Sequence, residues 1–279
     1  MTFSSLRDII KIVHKFQEAV KMIQYIYQNV FNVLKEKPVT LWGTSLLCSL
    51  LCGLASVFGV LPIISVPITF ILSASMAVIY WKGYRREAFV SQDLFAGFSH
   101  ALHVAGGMAW MVLWLVLWLL VPLAGPVMLI VKSLSYSLTP YILIRHPEIS
   151  ATDALKVSME QTKGYKGNMF LTYLVFGVAV WIVCFVLAML TAIEVISLVF
   201  GFLLFLVALV LLLFAPLFLG LIQAAFYEEI QKAITFREEH PGEVYQPEYL
   251  KFQPIYVPYP AEAFENAKPQ EPQNNETKE

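Results

Sequence analysis

Charged side chains are scarce in this chain. Of its 279 residues, 14% are charged and 58% are hydrophobic, whereas a soluble domain is about 25% charged and about 45–50% apolar. The shortage is concentrated in long uncharged runs, which excludes an ordinary soluble globular protein. The formal net charge is −1, so the chain also lacks the basic balance typical of a nucleic-acid-binding protein, and we expect no nucleic-acid partner.

Cysteine and catalytic motifs are scarce as well. Cys48 and Cys52 are four residues apart in the first hydrophobic run, and Cys184 lies in the fifth. A metal or redox site needs more ligands at suitable spacing, so we expect these three to behave as small hydrophobic residues. The sequence contains no His-Glu-x-x-His helix, glycine-rich phosphate loop or Gly-x-Ser-x-Gly turn. It therefore predicts no cofactor, no metal and no enzyme activity.

Long apolar runs are what the chain does contain. Each is close to the roughly 20 residues that a helix needs to cross the hydrocarbon core of a bilayer. The sequence predicts an all-α polytopic membrane protein whose six transmembrane helices pair as three hairpins, with amphipathic helices on the cytoplasmic side. The runs lie near residues 40–59, 65–82, 104–121, 127–145, 169–190 and 196–222.

Lysine and arginine are absent from the three short gaps at 59–67, 120–126 and 191–197. Cytoplasmic loops carry an excess of these two residues. The asymmetry therefore predicts a multi-pass protein of the inner or plasma membrane, with both termini in the cytoplasm.

The chain divides into an N-terminal amphipathic helix (1–38), a membrane domain (39–230) and a cytoplasmic tail rich in proline and acidic residues (231–279), which we expect to be largely disordered. The first helix has an apolar stripe with heptad spacing, formed by Leu6, Ile9, Val13, Phe16, Val20, Ile23, Tyr27, Val30 and Leu34. It either lies in an anionic lipid surface, packs on its own bundle or pairs with a second copy. The candidate lipid-surface contacts are Arg7, Lys11, Lys15 and Lys21.

Two further segments carry local signals. Ser150 is a good N-cap with Asp153 three residues later, and Gly164 is a natural helix stop, so a cytoplasmic helix is predicted over 151–163. In the tail, tyrosine alternates with proline over 245–260. This stretch either docks on the cytoplasmic face or moves freely.

Lys132 is the one basic residue well inside a span. Ser135, Tyr136 and Thr139 follow it at helical spacing, which indicates a polar face directed into the bundle. Glu194 is the one charged residue in the three gaps and is the candidate counter-ion. A buried pair, a lysine that extends to the lipid headgroups and a substrate site all remain open.

An ordered series of short motifs resembles a bacterial membrane family called domain of unknown function 975, over about residues 40 to 230. That family is similar to the membrane domain of some glycerophosphoryl diester phosphodiesterases. The resemblance implies six spans in a bacterial inner membrane and no assigned activity, and the phosphodiesterase residues are absent here. The motifs are DLFAGF at 93–98, KSLSYSLTPY at 132–141, PEISA at 147–151, DALKVS at 153–158, KGYK at 163–166, APL at 215–217 and AFY at 225–227.

Three functions compete. The first is a non-enzymatic scaffold or accessory module that acts through its cytoplasmic helices and tail. Its expected partners are membrane lipids and a protein bound by the N-terminal helix or the tail. The alternative is a transporter of a small solute or lipid with a polar site at Lys132. An intramembrane enzyme ranks third. A polar cavity at Lys132 would favour the transporter.

Overall fold

The structure is a computed structural model that describes residues 3–36, 38–57, 62–191 and 197–251. Within these ranges every regular element is a helix. In chain order they are α1 (Phe3–Glu36), α2 (Pro38–Val57), α3 (Pro62–Tyr84), a 3₁₀ helix (Ser91–His100), α4 (Ala101–Leu119), α5 (Gly125–Tyr136), α6 (Thr139–Arg145), α7 (Ala151–Gln161), α8 (Lys166–Thr191), α9 (Ser197–Glu239) and α10 (Glu248–Lys251).

Six segments of the described chain are long and apolar enough to cross a membrane, which confirms the predicted number and the all-α class. The fourth segment consists of two helices, α5 and α6. The sixth belongs to α9, which continues to Glu239, so the predicted domain boundary at 230/231 falls inside a helix. The segments are Val39–Val57, Ile64–Tyr84, Ser91–Leu119, Gly125–Arg145, Lys166–Thr191 and Leu198–Glu239.

Two helices form the centre of the molecule. α3 is contacted by α2, α4, α6, α9 and the 3₁₀ helix, and α9 is contacted by α1, α2, α3 and α8. Helices that are consecutive in the chain also pack on each other: α2 on α3, α4 on α5, and α8 on α9.

Burial is confined to one end of these helices. We call the stretches 19–48, 71–108, 135–172 and 217–233 the packed half, because the buried side chains concentrate there. We call 49–57, 64–70, 109–134, 174–191 and 198–216 the open half, where nearly every side chain is partly or fully exposed. The most apolar stretches of α8 and α9 contain no buried residue. Apolar side chains are favourably surrounded by lipid tails, so such a surface fits a bilayer.

Small residues permit the close approaches in the packed half. A Cβ atom on Gly220 of α9 would lie 2.2 Å from the ring of Tyr80 on α3. A Cβ atom on Gly97 would lie 2.6 Å from the hydroxyl of Ser75, which accepts the Gly97 amide at 3.0 Å. These contacts bring α9 and the 3₁₀ helix against α3, as small residues do in membrane bundles.

Helices α1 and α7 each bury a set of side chains against the rest of the molecule. In α1 the buried apolar side chains are Ala19, Met22, Ile26, Val30 and Val33, and α1 contacts α8 and α9. α7 begins after Ser150, whose hydroxyl accepts the Asp153 amide at 3.2 Å, and the chain turns at Gly164 with φ +95°. Both local predictions for α7 are confirmed, and its Ala154, Leu155 and Ser158 are buried.

Candidate functional site

The fourth span is broken in the middle. α5 ends at Tyr136 and α6 begins at Thr139, and Pro140 follows at once. Proline has no amide hydrogen and clashes with the carbonyl four residues earlier, so a continuous helix cannot pass through this position without a kink. The break lies in the packed half, where Ser135, Tyr136 and Thr139 are all buried. All three of these residues, which form the predicted polar face, are therefore buried.

One hydroxyl from outside the span bridges this break. Ser158 of α7 donates its hydroxyl to the Ser135 carbonyl at 2.8 Å and accepts the Leu138 amide at 3.3 Å. Thr162 also donates to the Ser135 carbonyl, at 3.4 Å. Gln223 of α9 donates its side-chain amide to the Ser137 carbonyl. Backbone groups released by a broken membrane helix need such partners because lipid supplies none.

A cavity of about 720 Å³ lies beside the break, between α2, α3, α4, the fourth span, α8 and α9. Small-molecule sites are typically about 300–1,000 Å³ in volume. No charged side chain of the described residues lines this cavity. Its polar lining consists of hydroxyl and amide groups, from Ser45, Ser49, Ser73, Tyr80, Ser133, Tyr136, Ser137, Tyr173 and Gln223.

Sulfur is the second feature of the lining. Cys48 and Cys52 of α2, Met76 of α3, and Met108 and Met111 of α4 all contribute to the wall. Two of the three cysteines in the chain therefore face one space, while Cys184 on α8 does not line it. No group of three or more His, Cys, Asp or Glu side chains in the described ranges is arranged to hold a metal ion.

Lys132 does not line the cavity, although its neighbours Ser133 and Tyr136 do. Its ammonium nitrogen lies 3.8 Å from the Met159 sulfur of α7, and 5.2 Å and 5.9 Å from the ring centroids of Trp118 and Tyr136. Aromatic faces attract a cation electrostatically. Lys132 also lies close enough to Lys166 to interact with it electrostatically. Its described surroundings thus include two aromatic rings, a thioether and another cation.

The remaining predicted site residues are only partly described. Glu194 lies outside the described residues, so the Lys132–Glu194 pair stays a prediction. The side chains of Arg7 and Lys11 also lie outside them. Lys15 is exposed and Lys21 is partly exposed on α1, and their contact with lipid stays a prediction.

A charged cluster joins α1, α9 and α10 beyond the cavity. Glu229 is 1% exposed; one carboxylate oxygen accepts from Lys232 at 3.2 Å, and the other has no partner among the described residues. Tyr25 donates its hydroxyl to Glu248 at 2.8 Å. Burial, followed by the nearby Glu229, raises the pKa of Tyr25 well above its usual value. Burial likewise raises the pKa of Tyr249 to about 12. Contacts between α10 and α1 show that α10 is docked on α1.

Sequence reasoning missed the cavity and this cluster for different reasons. Adjacent Glu228 and Glu229 interrupt a long apolar helix, and this signal could have been read. The cavity gives no such signal, because its wall combines residues from six segments that are distant from one another in the sequence.

The fold and the cavity together define a polytopic helical membrane protein with an uncharged internal site. Comparisons of the chain with protein-family models, with curated proteins and with solved structures find no match. The resemblance to domain of unknown function 975 therefore stays a prediction.

Proposed function

We propose that this chain is a membrane carrier or receptor that binds a small uncharged solute or a lipid in the cavity of about 720 Å³. This reverses the order expected from the sequence, where a scaffold ranked first. The observation that carries the proposal is the cavity beside a broken helix, since discontinuous spans often form the substrate sites of transporters.

The lining sets the chemistry of the occupant. Hydroxyl and amide groups offer hydrogen bonds, while the absence of a charged side chain in the described wall disfavours an ionic solute, whose burial would leave a charge without compensation. The alternative site at Lys132 receives less support, because its ammonium lies toward α7 and outside the wall.

We further propose that both termini lie in the cytoplasm of a bacterial cell and that the spans form three hairpins in the inner membrane. The distribution of lysine and arginine supports the orientation, and the packing of α2 on α3, α4 on α5 and α8 on α9 supports the hairpins. In a variant without native cysteines, Ile64→Cys and Ala124→Cys, both at exposed positions, should react with an impermeant reagent on intact cells. Ser91→Cys and Gln270→Cys should not. Labelling of Gln270→Cys from outside would overturn the orientation.

The binding proposal is tested by filling the cavity. Ser73 lines the wall, so Ser73→Phe should expel an occupant; Ser56→Phe on the exposed surface of α2 is the matched control. Each protein is purified from native membranes, and its bound lipids and solutes are identified by mass spectrometry. A compound retained by the wild type and by Ser56→Phe, but lost from Ser73→Phe, supports the proposal. Identical profiles of all three proteins would contradict it.

A scaffold role is the second candidate, favoured by the exposed side chains at 13–17 of α1. Val13 and Phe16 are exposed apolar residues there, next to exposed Lys15. An apolar patch with nearby positive charge suits an anionic lipid surface. A polarity-sensitive dye on Phe16→Cys, in a variant without native cysteines, should report an apolar environment in anionic nanodiscs and a polar one at high salt. The same signal in neutral nanodiscs would remove the electrostatic contribution.

A further inference from the structure

We infer that the cavity is a binding site for a soft monovalent metal ion, with Cu(I) as the chemical type. This inference rests on the proposed use of the cavity as a ligand site and goes beyond it, because the ligand is an ion neutralised by a thiolate instead of an uncharged solute or a lipid. Five sulfur-bearing side chains line the cavity: Cys48, Cys52, Met76, Met108 and Met111. Thiolate and thioether ligands select Cu(I) over hard cations, which prefer oxygen.

The two cysteines form the centre of the proposed site. They lie one turn apart on the same face of α2, and both line the cavity. The Cys48 sulfur also lies 3.8 Å from the Leu72 carbonyl of α3. That carbonyl is the helical partner of the Met76 amide, since helix bonds join residues four apart. Cys48 is therefore next to the backbone of Met76.

The methionines approach from a second direction. Met108 and Met111 are three residues apart on α4, a spacing that places both side chains on one face. Met76 and Met108 are almost fully buried, at 3% and 6% exposure. A buried methionine is by itself a flexible filler of gaps. Three of them line the same open cavity as the pair of thiols, and they offer the further ligands that the cysteine spacing alone lacks.

Charge balance selects the valence of the ion. No charged side chain of the described wall offsets a buried cation. When Cu(I) binds, one thiol gives its proton to solvent and forms a sulfur–copper bond, so the cation and the thiolate together are neutral. The second thiol and the thioethers donate lone pairs and carry no charge. A divalent ion would need both thiols to lose their protons, and no group of three or more His, Cys, Asp or Glu side chains in the described ranges is arranged to complete its coordination.

The test uses Ag(I), which has the same charge and softness as Cu(I) and does not change its oxidation state under these conditions. The full-length protein carries Cys184→Ser, which removes the thiol outside the cavity. After reduction and treatment with chelator in detergent, it is titrated with Ag(I) under anaerobic conditions. We expect one ion bound per chain, one proton released per ion, and no binding of Zn(II).

Variants identify the ligands. Cys48→Ser and Cys52→Ser should each weaken Ag(I) binding by about tenfold or more, and Met76→Leu and Met108→Leu by about threefold to tenfold. Leucine nearly preserves the volume of methionine, so the last two variants keep the fold. Met169→Leu, buried on α8 and outside the cavity wall, is the matched control and should bind as before.

The outcomes separate this inference from the proposed function. Absence of Ag(I) binding, or binding that is unchanged in Cys48→Ser and in Met108→Leu, would overturn the metal site. If Ser73→Phe still expels a co-purifying solute in that case, the cavity remains a ligand site for another class of molecule. Ag(I) binding that is lost in the cysteine and methionine variants, and retained in Met169→Leu, supports the inference.

Discussion

Phe226 and Phe205 lie on the same helix, α9, yet Phe226 is fully buried and Phe205 is 62% exposed. Phe226 belongs to the packed half and Phe205 to the open half. Neither half gains much from hiding apolar surface between spans, since lipid tails are as apolar as the side chains. Close steric fit and hydrogen bonds must therefore hold a membrane bundle together.

Those interactions are concentrated in the packed half. Ser45 and Tyr80 share a hydrogen bond of 2.8 Å between α2 and α3, and Trp81 donates to Glu228 of α9 at 2.8 Å. In the open half, the described side-chain hydrogen bonds of Ser56 and Thr69 return to the backbone of their own helix. The comparison indicates that the packed half supplies the stability of the fold, and that the open half is held in place mainly by lipid.

The largest expected difference comes from removing a ring in each half. Phe226→Ala should lower the free energy of unfolding by about 3–5 kcal/mol, because the packed surroundings cannot fill the cavity left behind. Phe205→Ala should cost less than about 1 kcal/mol, because lipid tails replace the ring. Unfolding in mixed detergent measures both. Similar losses at the two positions would contradict the proposed difference in packing between the two halves.

Adding bulk should give the next effect. Gly220→Leu forces side-chain atoms into the ring of Tyr80 and should cost about 1–3 kcal/mol. Gly201, also on α9, has no atom within 4 Å of the Cβ position. Gly201→Leu is therefore the matched control and should leave the unfolding midpoint nearly unchanged. A larger loss in Gly201→Leu would show that the open half is packed.

Removing the bridging hydroxyl should have a moderate effect. Ser158→Ala leaves the Leu138 amide without its partner and should cost about 1 kcal/mol, the usual range for a hydrogen bond in a membrane bundle. Pro140→Ala restores an amide at the break, so the double variant should lose less than the sum of the two single variants. Strict additivity would mean that Ser158 does not act on the break.

The smallest effect concerns pH. The Ser150 hydroxyl, and then Lys156, hold the pKa of Asp153 below its usual value. Because the folded pKa of Asp153 lies below the unfolded value of about 3.8, the ionised carboxylate stabilises α7 above that value. This stabilisation is lost as pH falls through the folded pKa. The wild type should thus lose a small part of its stability in acid. Asp153→Asn lacks this contribution at every pH and should not show that loss. Melting curves against pH measure this, with Glu160→Gln on the same helix as the control. An equal acid loss in Asp153→Asn would contradict it.

The sequence predicted those parts of the fold that depend on local rules. Run length predicted six spans, and the Ser150 cap and Gly164 predicted the bounds of α7 to within two residues. In α1 the stripe predicted Val13 and Phe16 among its members, but the buried face follows Met22, Ile26 and Val30, and both earlier residues are exposed. An α-helix drifts by about 20° per heptad relative to a 3.5-residue repeat, so a stripe read over the full length does not stay on one face.

The arrangement of the site depends on distances between helices, and no local sequence pattern contains these distances. Polar spacing indicated that Ser135, Tyr136 and Thr139 turn inward, and all three are buried. It gave no sign that Tyr136 would face a cavity, that the Ser135 carbonyl would bind α7, or that Thr139 would have no partner for its hydroxyl among the described residues. The environment of Lys132 likewise depends on where α7 docks, which is a property of the assembled bundle.

The hydroxyl of Ser158 has a thermodynamic consequence for the whole molecule. A displacement of α7 by about 1 Å would lengthen both of its hydrogen bonds beyond the usual limit, on the two sides of the break at once. The position of α7 and the shape of the adjacent cavity wall are thus linked. A molecule that binds α7 and shifts it changes the affinity of the cavity for its occupant. By reciprocity, the occupant changes the affinity of α7 for that molecule by the same factor.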